Sequence, residues 1–117
     1  LGLEDQYVIT VHVDSRHKDQ RIDLFFYYYP NLIAGKKIAE SIQNVVAKKY
    51  EKHQEGRGYR GTVTARNLHM LRETKPTSVY IELGNITNPK DQKRIIWTNN
   101  RQALANWLYE GIVAGVK

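Results

Sequence analysis

The sequence predicts an α/β fold with a mixed, partly parallel sheet flanked by helices. Two runs dense in β-branched and aromatic residues, Tyr7–Val13 (YVITVHV) and Ile22–Tyr29 (IDLFFYYY), precede a helical period that begins at Ala34. A third apolar run, Val79–Leu83, follows that helix and leads into further helical patterns. Strands separated by helical segments call for crossover connections, which make part of the sheet parallel.

Taken in order, Tyr7–Val13 reads as a strand buried on both faces, because β-branched residues fill it almost without interruption. Asp14–Gln20 is polar and charged, hence a loop. Ile22–Tyr29 is the second strand, ended by Pro30-Asn31. From Ala34, Ile38, Ile42, Val45 and Val46 share one helical face, and the helix fades near Glu51 to His53. Gln54–Gly61 (QEGRGYRG) reads as a flexible basic loop. Thr62–Leu71 is ambiguous: Leu68, Met70 and Arg72 alternate as in a strand, whereas Ala65 and Leu68 suit a helical turn.

Lys75-Pro76-Thr77 marks a turn before the Val79 strand. Beyond it Asn88 is an N-cap, Pro89 the first helical residue and Asp91 a first-turn acid that the helix dipole favours. This predicts a short helix over about Pro89–Trp97. A final helix capped by Asn99 or Asn100 carries an apolar stripe of Ala103, Leu104, Trp107, Leu108 and Ile112.

The chain of 117 residues holds at most one domain. It has no cysteine, which removes disulfides and thiolate metal sites, and its net charge of +6 favours anionic partners without choosing among them. No apolar run is long enough to cross a bilayer. The chain starts Leu1-Gly2-Leu3 without an initiator Met, and is expected to be a processed product or a fragment. No phosphate loop, dinucleotide fingerprint or nucleophile elbow is present.

Glu82 is the first candidate for chemistry. It sits near the carboxyl end of the third strand, the edge at which open α/β sheets bind ligands. A carboxylate there costs several kcal/mol to desolvate unless it is partnered. Beside a water and an amide it acts as general base and acid; the bland alternative is an ion pair with one of 18 Lys and Arg residues. From pattern alone, His12 is more often a hydrogen-bonded sheet histidine than a metal ligand. His17, His53 and His69 show no ligand spacing relative to it and read as surface or structural residues. The run Phe25–Tyr29 either stacks sugars or bases, or fills the core. Arg57, Arg60 and Arg66 either contact anionic groups or line a solvated loop.

Two segments together carry a family resemblance. Tyr80-Ile81-Glu82-Leu83-Gly84-Asn85-Ile86-Thr87-Asn88 resembles the signature strand of the zinc-dependent N-acetylmuramoyl-L-alanine amidases of type 3, in which Val-Glu-Leu-Gly-Phe runs into a Ser/Thr-Asn pair. Val8-Ile9-Thr10-Val11-His12 resembles the strand that presents one of that family's zinc ligands. Ile22–Tyr29, Leu71-Arg72 and Arg101–Ile112 are similar, in order, to the family's next strand, its Leu-Arg pair and its closing helix.

The resemblance implies that residues 1–117 are the carboxyl-terminal part of a single amidase catalytic domain. The implied activity is hydrolysis of the amide between the lactyl group of N-acetylmuramic acid and L-alanine in peptidoglycan. It further implies zinc as cofactor, His12 as one ligand, Glu82 as acid/base, peptidoglycan as substrate and an extracytoplasmic location. No substrate-binding residue and no oligomeric state follow from it. Asn85 departs from the family's aromatic, Val13-Asp14-Ser15 from its small residues, and the first two metal ligands have no counterpart. The segment alone is therefore expected to bind zinc weakly and to lack activity. The rival readings are a non-catalytic relative that binds cell wall and, more remotely, a basic nucleic-acid-binding domain. The latter matches no standard module and gives Glu82 no role, so no nucleic-acid partner is expected.

Overall fold

The computed structural model describes residues 6–117; the amino-terminal Leu1-Gly2-Leu3 lies outside the described residues. In chain order the elements are β1 (Tyr7–Asp14), β2 (Phe25–Tyr28), α1 (Ile33–His53), β3 (Thr62–Ala65), α2 (His69–Glu73), β4 (Thr77–Asn85), α3 (Pro89–Ile96) and α4 (Thr98–Gly115). The four strands form one sheet in the order β1-β4-β2-β3. β1 runs parallel to β4 and β2 parallel to β3, while β2 and β4 are antiparallel. The sheet is thus mixed and partly parallel, as the alternation of strand and helix patterns predicts.

The core lies between one face of the sheet and the α1 helix. Phe26, Val79 and Ile81 point from the strands to meet Ile38, Ala39, Ile42 and Val46 on the apolar side of α1. α4 packs on α1 through Leu104 and two glycines. A Cβ on Gly111 would fall 2.5 Å from the Ile42 Cα, so only glycine lets the two helix backbones approach this closely.

Several expectations need correction. β1 is an edge strand rather than one buried on both faces: Tyr7, Val11 and Val13 are exposed, Val11 at 52%. β-branched residues suit an edge as well as a centre, so composition does not reveal the missing neighbour. β2 begins at Phe25, not Ile22. Asp23 takes a left-handed backbone (φ 60°), and the amides of Ile22 and Asp23 donate to the Asp91 carboxylate rather than to a strand. Thr62–Leu71 holds a strand and a helix start, but with the residues exchanged: Ala65 ends the strand β3, whereas Met70 and Arg72, whose alternation suggested a strand, lie in α2. α4 begins at Thr98, one residue after a Trp97 that gives no side-chain cap, so neither Asn99 nor Asn100 caps it.

The basic loop after α1 is pinned. The Arg57 guanidinium donates to Asp23 Oδ1 at 2.8 Å, and the Arg60 amide to Asp23 Oδ2 at 2.7 Å. The helix start at Pro89 is as expected: Asn88 accepts from the amides of Lys90 and Asp91.

Candidate active site

β1 and β4 pair residue by residue, with His12 directly opposite Glu82. Across β4 on its other side, Glu82 faces Phe25 of β2. Alternation along the strands puts His12, Glu82, Tyr80, Phe25 and Tyr27 on the sheet face away from α1. Both sequence candidates are therefore brought together, with His12 Nδ1 4.0 Å from Glu82 Oε1. Their exposures differ: the His12 side chain is 54% exposed and that of Glu82 10%.

Glu82 has a carboxyl held above its ordinary range. Burial is the main cause, and the nearby Asp14 charge adds to it; Arg16, His12 and Arg66 pull the other way and do not prevail. Arg16 Nη2 stands 3.4 Å from Glu82 Oε2, while Arg16 Nε donates to the Asp14 carboxylate. The hydrogen bond from Arg16 holds Asp14 below its ordinary value. The Tyr80 phenol is pushed up, first by burial and then by Glu82.

Sequence reasoning missed Arg16 and the device that places it. Asn85 is fully buried, and its side chain ties down the loop after β1. Its Oδ1 accepts from the Arg16 amide at 2.9 Å and its Nδ2 donates to the carbonyls of His17 and Gln20. Thr87 Oγ1 donates to the Arg16 carbonyl at 2.6 Å, and Asn88 Nδ2 to that of Lys18. The one signal available was that Asn85 stands where the resembling family has an aromatic. A ladder irregularity between His12 and Asp14 brings Asp14 opposite Asn85.

Behind this face, a buried polar knot supports β4. Asp91 accepts from the amides of Ile22, Asp23 and Asn85, and Arg94 donates to the Leu83 carbonyl and to Asp91. Gly84 makes room for it: a Cβ there would lie 2.7 Å from Arg94 Nη2.

The aromatic run divides between both of its readings. Phe26 is buried in the core, whereas Phe25 and Tyr27 lie on the site face under the guanidinium groups of Arg16 and Arg66. Arg57 serves the buried Asp23 and stacks on Tyr50, away from the site. His17 pairs with Asp19, His53 stacks on Trp107, and His69 lies beside Arg72, so none joins His12. Among the described residues no three His, Asp or Glu side chains converge as metal ligands. A catalytic zinc ion takes three protein ligands, so these residues do not by themselves fit one. No helix is long and apolar enough to cross a membrane.

A family model described as N-acetylmuramoyl-L-alanine amidase matches residues 2–114. No curated protein matches the chain. Among solved structures, the N-acetylmuramoyl-L-alanine amidase AmiC2 of Nostoc punctiforme is 23% identical with a TM-score of 0.72, over 92% of this chain and 56% of that one. The CwlD amidase of Clostridioides difficile, solved in complex with the GerS lipoprotein, is 17% identical with a TM-score of 0.75, over 94% and 54%. The catalytic domain of the amidase CwlV from Bacillus (Paenibacillus) polymyxa var. colistinus is 23% identical with a TM-score of 0.72, over 95% and 59%. At these identities the likeness is one of fold. The chain spans little more than half the length of each.

Proposed function

The chain belongs to the N-acetylmuramoyl-L-alanine amidase family, and on that premise we propose that it is the carboxyl-terminal part of a peptidoglycan amidase catalytic domain. The reaction is hydrolysis of the amide between the lactyl group of N-acetylmuramic acid and L-alanine, carried out outside the cytoplasm. One observation carries the reading: a buried carboxylate with raised proton affinity, Glu82, faces His12 across a parallel strand pair.

In this reading Glu82 takes a proton from the attacking water as its oxygen bonds to the amide carbon. It returns that proton to the alanine nitrogen as the C–N bond breaks. Burial helps the second half, because a desolvated carboxyl holds a proton longer than an exposed one. Arg16 positions the Glu82 carboxylate from one side and is itself held by Asp14 and the Asn85-tied loop. His12 is the one zinc ligand proposed from this chain; the remaining ligands are assigned to a part of the protein outside it.

The absence of a converging ligand set among the described residues favours one second reading, a relative that binds wall without cutting it. Zinc content and turnover of a muropeptide by the intact protein separate the two. Glu82→Gln in the intact protein is expected to lower turnover by about 100- to 10,000-fold with fold and zinc content retained. Near-normal turnover would remove Glu82 from the mechanism.

A further inference from the structure

We propose that the cavity between α1, α3 and α4 is a second binding site, selective for an acidic saccharide. It measures about 720 Å³, within the size range of small-ligand sites, and none of its lining residues belongs to β1 or β4. Its walls combine aromatic surface with two lysines, Lys90 and Lys93, while the lining Arg57 and Arg94 are paired with Asp23 and Asp91 behind it. Tyr50 and Trp107 meet edge to face at 5.2 Å, and His53 lies flat against Trp107, 9° from parallel. Trp97 leaves 58% of its surface exposed, an indole that water does not favour and that a sugar's C–H face would cover.

The charge is one-signed, since no Asp or Glu lines the cavity. Lys90 and Lys93 are exposed and have no carboxylate within 4.0 Å among the described residues. Lys93 Nζ stands 5.9 Å from the Trp97 ring centroid, so cation and aromatic platform address the same ligand. Arg94 contributes to the wall from below. It is almost wholly buried, and its Nη1 makes no hydrogen bond, lying 3.5 Å from Asp23 Oδ1.

A bare anion would leave the indole unused, and a neutral sugar would leave the lysines unused. A ring bearing a carboxylate uses both. The choice of saccharide rests on the proposed amidase reaction, which leaves a free lactyl carboxylate on each muramoyl ring of the glycan strand. The site would then hold product strand.

Trp97 and Trp107 are the only tryptophans of the chain and both line the cavity, so intrinsic fluorescence reports on it directly. The probes are a peptide-free tetrasaccharide of alternating N-acetylglucosamine and N-acetylmuramic acid, chitotetraose, and adenosine monophosphate. The acidic tetrasaccharide is expected to change the emission saturably and to bind at least ten-fold tighter than chitotetraose. Lys90→Glu with Lys93→Glu, both at exposed positions and checked for fold by circular dichroism, is expected to abolish that preference. Equal binding of chitotetraose, tighter binding of adenosine monophosphate, or no saturable change would overturn the proposal. Binding is read on the 117-residue chain and turnover on the intact protein. Binding with no turnover by the intact protein sustains this site and removes the amidase reading, and turnover by the intact protein without binding does the reverse.

Discussion

Arg16 lies between two carboxylates that end on opposite sides of the ordinary range. Asp14 is pulled down by the hydrogen bond it accepts from Arg16, whereas Glu82 is held up because burial and the Asp14 charge outweigh the more distant guanidinium. The signs give opposite pH behaviour. Glu82 contributes stability below its unfolded value, about 4.3, and loses it as pH rises through its higher folded value. Asp14 contributes stability above about 3.9 and loses it as pH falls through its lower folded value. Glu82→Gln is therefore expected to raise the unfolding midpoint at pH 7 under chelation, with the gain closing below pH 4. Melts of both proteins across that range test this, and an unchanged or lower midpoint at pH 7 contradicts it. His12→Ala acts differently: in the intact protein it should lose zinc and activity together, because a site short of a ligand binds metal poorly. Metal analysis showing stoichiometric zinc in that variant would exclude His12 as a ligand.

Among the elements, helix starts with local signals were legible and long-range polar ties were not. Asn88, Pro89 and Asp91 announce α3 within four residues. That Asp91 is buried was invisible, because it accepts from Ile22 and Asp23, 69 and 68 positions away. The same tie truncates β2, whose apolar and aromatic composition suggested a start three residues earlier. The candidate site divides the same way: the strands that carry Glu82 and His12 were legible, the role proposed for His12 came only from the family resemblance, and the placing of Arg16 depends on Asn85, 69 residues distant. The α1–α4 contact offers a test in which two effects oppose. Helix propensity alone makes Gly111→Ala stabilising by about 1 kcal/mol. Overpacking against Ile42 costs about 1–3 kcal/mol, and with a Cβ at 2.5 Å from backbone we expect the loss to win. A denaturant midpoint at or above that of the wild type would show that the helices slide apart at little cost.

For the molecule as a whole, the decisive feature is β1 at the edge of the sheet, with Val11 and Val13 exposed and His12 between them. An uncovered strand of this kind pairs with other chains. The 117-residue chain alone is expected to self-associate at micromolar concentration and to bind zinc weakly. On the proposed assignment, joining it to the rest of the catalytic domain should end that association and bring stoichiometric zinc and turnover. Sedimentation with metal analysis checks both, and a monomeric, fully loaded short chain would refute them. A ladder of backbone hydrogen bonds does not register whether the incoming strand is covalently joined to it. On the proposed assignment, the open edge of β1 beside His12 is where the rest of the domain would pair, whether or not it is covalently joined there. Supplied separately, the two pieces should complement each other, with catalytic competence arising from their encounter.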